Sequence, residues 1–166
     1  MMPLLSRGRK LLHTQNDRFM RGIEFLSDIG YGDVLGGIFA NIPLCGYDFY
    51  ISEEEIHTSA ALPAVGGKTD SSYFEKLKAC IPYFVFFLNL QAYRRGDARQ
   101  DIRDYRDFLA SSCRFAVLVT DGDCFEIYAK DEQLLLQFIK NAAALHATNI
   151  RIKTDYDDGR TRMSIR

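Results

Sequence analysis

The sequence predicts an α+β fold. It reads as a single domain with a mixed or mainly antiparallel sheet and about three helices packed on it. Three observations lead there. The stretch CRFAVLVTDGDCFEIYAK, residues 113–130, alternates Phe115, Val117 and Val119 with Arg114, Ala116 and Leu118. It then crosses Asp121-Gly122 and resumes with Phe125, Ile127 and Ala129. Period-two spacing on both sides of an Asp-Gly step marks a hairpin. A second turn signal, Asp157-Asp158-Gly159, divides Ile150 and Ile152 from Thr161, Met163 and Ile165. Helical periodicities lie between the strand patterns, and hairpins interleaved with helices argue against a parallel sheet.

Each element can be justified in order. Gly22–Leu26 is a short strand and Ser27–Gly30 a turn. Val34, Leu35, Ile38 and Ile42 recur at helical spacing over Tyr31–Ile42, and Pro43 closes that helix. Gly36 and Gly37 inside it cost roughly 1 kcal/mol each relative to Ala, which implies close approach to another backbone. Tyr47–Ser52 is the second strand, and Glu53–Ile56 opens a short helical turn. Ser59–Ser72, rich in Ala, Gly and Ser, is a surface loop, followed by one or two helical turns over Tyr73–Cys80. Ile81–Tyr93 is the longest strand, with Phe84, Phe86, Leu88, Leu90 and Ala92 on one buried face. Asp101–Ala110 is a helix. The hairpin follows as the middle of the sheet, because its first arm is apolar on both faces. Asp131 caps a helix over Glu132–His146, whose inward side carries Leu134, Leu135, Phe138, Ala142 and Leu145. Two last strands give the order β-α-β-β-α-β-β-α-β-β.

Composition excludes several classes. The chain has 166 residues, 47% of them hydrophobic and 26% charged, which is ordinary for one globular domain. No run approaches the roughly 18–20 apolar residues of a membrane span. Formal charge is −1, but residues 1–21 carry Arg7, Arg9, Lys10, Arg18 and Arg21 against Asp17 alone. That is +4, leaving −5 for the remainder, a poor match for a nucleic-acid backbone. Residues 1–19 read as a basic, disordered extension and 20–166 as the domain, with Met20 a plausible start. Cys45, Cys80, Cys113 and Cys124 form no CxxC and fit free thiols in a reducing cytoplasm. No cofactor is implied.

Five constellations bear on chemistry. Gly30, Gly32 and Gly36 lie between a strand and a helix, and Glu53 follows near the end of the next strand. That outlines a dinucleotide site, in which glycines admit a pyrophosphate and the acid holds a ribose hydroxyl. Asp33 and the misplaced third glycine count against it, and close helix packing accounts for the glycines better. Glu53 and His57, at i and i+4, would share a metal if helical, but no third ligand is identifiable. Cys113 or Cys124 with His57 or His146 would make a thiol nucleophile only if the pair met and the thiol were acidified. Asp155, Asp157 and Asp158 are misspaced for a calcium loop. Last, Arg160 and Arg162 on the final strand, beside Arg151 and Lys153, form a basic face on an acidic domain. Such a face could receive an acidic protein partner, but protection of a sheet edge by charge is the commoner role for one. The chain therefore reads as a non-catalytic protein acting through interaction, with a nucleotide-binding enzyme or sensor at Gly30–Gly36 as the alternative.

The phrases RGIEF, YDFYISEEEI, DYRDFLASSC, DCFEIYAKDE and DDGRTRMSI carry a resemblance. From about Met20 to Arg166 the chain resembles a small bacterial family that is itself a domain of unknown function. The resemblance implies one cytoplasmic bacterial domain and no activity, since none of these phrases has a catalytic meaning.

Overall fold

A seven-stranded sheet organises the molecule, and its order is set by which strands can bury two faces. The computed structural model of the chain describes residues 20–62 and 66–165. The strands are β1 (Met20–Leu26), β2 (Tyr47–Thr58), β3 (Gly67–Thr69), β4 (Tyr83–Arg94), β5 (Cys113–Thr120), β6 (Cys124–Ala129) and β7 (Thr148–Thr154). They lie in the order β3-β2-β4-β5-β6-β1-β7, and every neighbouring pair is antiparallel. β5 is the central strand, as its two apolar faces require. Its hairpin with β6 turns through Asp121 and Gly122, both at positive φ (55° and 79°), the conformation for which Asp-Gly is favoured.

Four helices occur among the described residues: α1 (Val34–Ile38), α2 (Ser72–Lys78), α3 (Tyr105–Ala110) and α4 (Glu132–Ala144). The larger core lies between one sheet face and α1, α2 and α4, where Phe25, Phe115 and Phe125 meet Leu35, Leu77 and Phe138. Full burial of such a side chain stabilises by about 1.5–3 kcal/mol. On the opposite face, α3 and the chain after β7 cover a smaller core of Tyr93, Phe108, Leu118, Tyr128 and Met163.

The order departs from the expected one in four places. Gly67–Thr69, expected within a loop, pairs as β3 with Phe49–Ile51, and three residues are too few to show a period. Glu53–Ile56 is not helical, because β2 continues along β4 to the pair Thr58–Tyr83, and pairing overrides the weak strand preference of three glutamates. α2 is a true helix and makes four rather than three. No final strand forms over 161–165. There the Met163 N–H bonds Arg103 O at 2.9 Å and its side chain enters the smaller core.

Boundaries moved for local reasons. Asp33 accepts the Gly36 N–H and starts α1 late, and Asn41 at φ 61° follows its end. Asp104 starts α3 by accepting the Asp107 N–H. Asp131 accepts the Leu134 N–H of α4, as its position predicts, and His146 at φ 56° terminates it. β4 does not keep one parity. Opposite β2, the register steps from Glu55–Phe87 to Ile56–Val85, so Phe86 is an inserted residue. Tyr83 and Val85 therefore share the larger core with Leu88, Leu90 and Ala92, while Phe84 lies outside that series. The extension expected over residues 1–19 lies outside the described residues.

Candidate functional site

β6, β1 and β7 run side by side, so alternation places Glu126, Glu24 and Arg151 in one row on the face away from α4. Lys153 of β7 shares that face, in register with Gly22. No Cβ fits at Gly22, where a methyl would overlap the Ile127 carbonyl, so nothing on β1 separates Lys153 from β6. The chain after β7 then folds back across this row. Asp157 makes that turn by accepting the Thr154 N–H (2.7 Å) and hydroxyl (2.6 Å).

The result is a buried ionic cluster. The Lys153 side chain, 2% exposed, donates to Glu126, to Tyr128 Oη (3.0 Å) and to Asp158 Oδ1 (3.3 Å), and lies 3.4 Å from Glu24 Oε2. Arg160 binds Glu126 from the other side through Nε, 2.9 Å from each carboxylate oxygen, and through Nη2. Its Nη1 donates to the carbonyls of Arg162 (3.0 Å) and Ser164 (2.7 Å), so one guanidinium ties the folded-back chain to the sheet. Tyr128 also donates to Asp158, and Arg21 pairs with Asp155 at 2.6 Å.

Electrostatics follow from burial with compensation. Desolvation alone would raise the Glu126 carboxyl, but the hydrogen bonds and charges of Arg160 and Lys153 hold it below its ordinary value. Desolvation would lower Lys153, yet Glu126 and Tyr128 raise it above the usual lysine range. Burial pushes the Tyr128 hydroxyl up as well. Beside the cluster opens a cleft of about 390 Å³ lined by Arg151, Lys153, Arg160, Arg162, Glu24 and Glu126. Arg151, with half of its side chain exposed, pairs with Glu24 at 3.1 Å on the rim.

The four basic residues singled out from sequence thus meet in one place, though not as an outward-facing strand. Lys153 and Arg160 point inward, because the carboxylates that hold them lie on β6 and in the C-terminal turn. Glu24, Glu126, Tyr128 and Asp158 were missed. The available signal was an acid, Glu126, inside the strand pattern Phe125–Ala129, where an unpaired carboxylate would be costly.

The other candidates are dispersed. Gly30 is at φ 62°, and Gly32 exchanges two backbone bonds with Tyr83 (2.9 and 3.1 Å). The first turn of α1 is already engaged: Gly36 N–H donates to Asp33 Oδ1 at 3.0 Å and Leu35 N–H to Tyr83 Oη at 3.1 Å. Glu53 pairs in register with Asn89, on the sheet face opposite α1, so it is not brought to the glycine turn. His57 lies 3.0 Å from Glu55, and no group of three metal-binding side chains forms among the described residues. Burial pushes the Cys113 thiol up to about 12 and raises Cys124 too, the reverse of nucleophile activation. Asp155 and Asp158 both face Arg21, at 2.6 and 3.7 Å, and Asp157 holds the Thr154 turn, so the three are engaged within the chain. His146 ends its helix. No helix among the described residues is long and apolar enough to cross a membrane.

A family model described as a protein of unknown function, DUF2691, matches residues 20–164. The chain belongs to that family. The match spans β1 to the folded-back C-terminal segment, so every residue of the ionic cluster lies inside the DUF2691 region. The chain is also similar to the uncharacterized protein YncE of Bacillus subtilis (strain 168), at 23% identity over 157 residues, covering 87% of this chain and 99% of that one. No solved structure matches. This DUF2691 chain therefore takes its functional reading from its own geometry.

Proposed function

We propose that the protein is a non-catalytic binding domain whose C-terminal cleft receives acidic side chains of a protein partner. The observation that carries this is the convergence of Arg151, Lys153, Arg160 and Arg162 on one cleft against only two lining carboxylates. Lys153 and Arg160 form its floor and are fixed in place by Glu126. Arg151 and Arg162 stand at its rim, where rotation toward a partner carboxylate costs little. A catalytic role has weaker support. Proton transfer works best with a group whose pKa lies near the working pH, and here Glu126 is held lower and Lys153 higher than usual.

The test is binding of a fluorescent acidic peptide, such as a run of alternating Glu and Ser, beside its Gln-substituted counterpart. The acidic peptide should bind, weaken as salt is added, and lose affinity when Arg151 and Arg162 are both changed to Glu. Equal affinity for the two peptides would remove the proposal.

A further inference from the structure

A second cleft, of about 330 Å³, lies on the other face of the sheet at the start of α4. Its lining includes the inserted residue of a β-bulge. Between β4 and β5 the register steps from Ala92–Phe115 to Tyr93–Cys113, which leaves Arg114 as the inserted residue. Strict alternation would send Arg114 toward the smaller core with Ala116 and Leu118. The bulge instead frees it from that series, and it joins Arg94 in the lining of this cleft.

Two arginines on adjacent strands repel each other unless something compensates them. Among the described residues neither takes part in an ion pair or a side-chain hydrogen bond. Lys153 and Arg160 on the opposite face, by contrast, each have a carboxylate. The lining holds one acid, Asp131, whose Oδ1 accepts the Leu134 N–H at 2.8 Å and so is turned to the helix. Gln133 adds an amide whose N–H can donate to an anion, whereas the Gln137 amide N–H is already given to Asn141 at 2.9 Å. Asn41 adds one more polar side chain, and the rest of the wall is formed by Ile42, Pro43, Tyr47 and Leu134. Ile42 is buried, and the Tyr47 ring is fixed edge-on to Phe115 at 5.2 Å.

We propose that this cleft, with the bulge residue Arg114 and Arg94 at its mouth, binds a small organic anion: a carboxylate or phosphate head on an apolar body. Guanidinium forks match both heads bidentately, and the volume falls at the lower end of small-molecule sites. The proposal is independent of the C-terminal cleft, which lies across the sheet.

The experiment uses the full chain at constant ionic strength, titrated separately with benzoate, phenyl phosphate, benzyl alcohol and inorganic phosphate, and followed by amide and arginine side-chain NMR shifts. Benzoate or phenyl phosphate should saturate, moving the signals of Arg94, Arg114 and Gln133, and whichever does so identifies the head group. Benzyl alcohol, lacking charge, should not saturate, and inorganic phosphate should bind more weakly than phenyl phosphate. Arg114→Gln and Arg94→Gln should each weaken binding about tenfold or more, whereas Arg106→Gln, an exposed residue outside both clefts, should leave it unchanged. Arg94 ends its strand and is exposed, so Arg94→Gln provides the test if Arg114→Gln disturbs the bulge. No saturation by either aromatic anion up to ~10 mM, or saturation that both variants leave intact, overturns the proposal.

Discussion

Glu126 is a buried carboxylate that binds Lys153 and Arg160 at once, so its loss leaves two largely buried cations short of a partner. Glu126→Gln keeps the shape but strands Lys153 and Arg160 without their shared carboxylate. It should lower the unfolding free energy by about 3–5 kcal/mol, read from urea denaturation at neutral pH. The sign of the pH dependence follows from the two shifts. Glu126 is held below its ordinary 4.5, so its contribution is complete above that value and is lost as pH falls through the folded-state one. Lys153 is held above 10.5, so its contribution is complete below that value and is lost only as pH rises beyond it. Both are present at neutral pH. The denaturation midpoint of the wild type should therefore fall on moving from pH 7 to about pH 3, and Glu126→Gln should fall less. Equal falls in the two proteins would contradict this assignment.

Among the elements, β1 depends on a residue with no side chain. A methyl at Gly22 would overlap the Ile127 backbone carbonyl, which cannot rotate away. Gly22→Ala should cost about 1–3 kcal/mol or more, while Gly46→Ala, with nothing within 4 Å of the added carbon, should leave the melting temperature nearly unchanged. At Gly37 the added carbon would meet Leu145, a side chain that can shift, so Gly37→Ala should destabilise less than Gly22→Ala. The same scale explains what the sequence made legible. The β5–β6 hairpin and α4 could be read because they obey one period and carry their own turn or cap. β4 could be placed but not oriented, because Phe86 interrupts a uniformly apolar run in which a parity change leaves no trace. β3 is too short to have a pattern. For the site, the basic residues were visible as an excess of one charge on the last segment. Their direction was not, because it depends on Glu126 and Glu24, which are far away in sequence.

At the level of the whole molecule, the segment after β7 closes one of the two cores. Met163 is 3% exposed there, beneath a chain held by Arg160 and Asp157. Met163→Ala should cost about 2–5 kcal/mol by leaving a cavity against Phe108 and Tyr128. Ending the chain at Thr154 should cost more, because it also removes Arg160 from Glu126, and a calorimetric melt compares the two. Docking of this segment completes the second core and brings Arg160 to the floor of the C-terminal cleft, so both variants should also weaken binding of the acidic peptide.

The place of β1 in the sheet has a further consequence during synthesis. Gly22 pairs with Tyr128 on one side and with Lys153 on the other, so among the described residues the earliest strand of the sheet is paired with the two latest, β6 and β7. As β1 emerges from the ribosome neither neighbour has been made, and β2 to β5 all appear before β6 offers it an edge. Nascent chains stalled before residue 124 should leave the β1 amides as open to deuterium as an unfolded peptide, while the β2–β4 pairing can already form. Release of the complete chain should close them in one step.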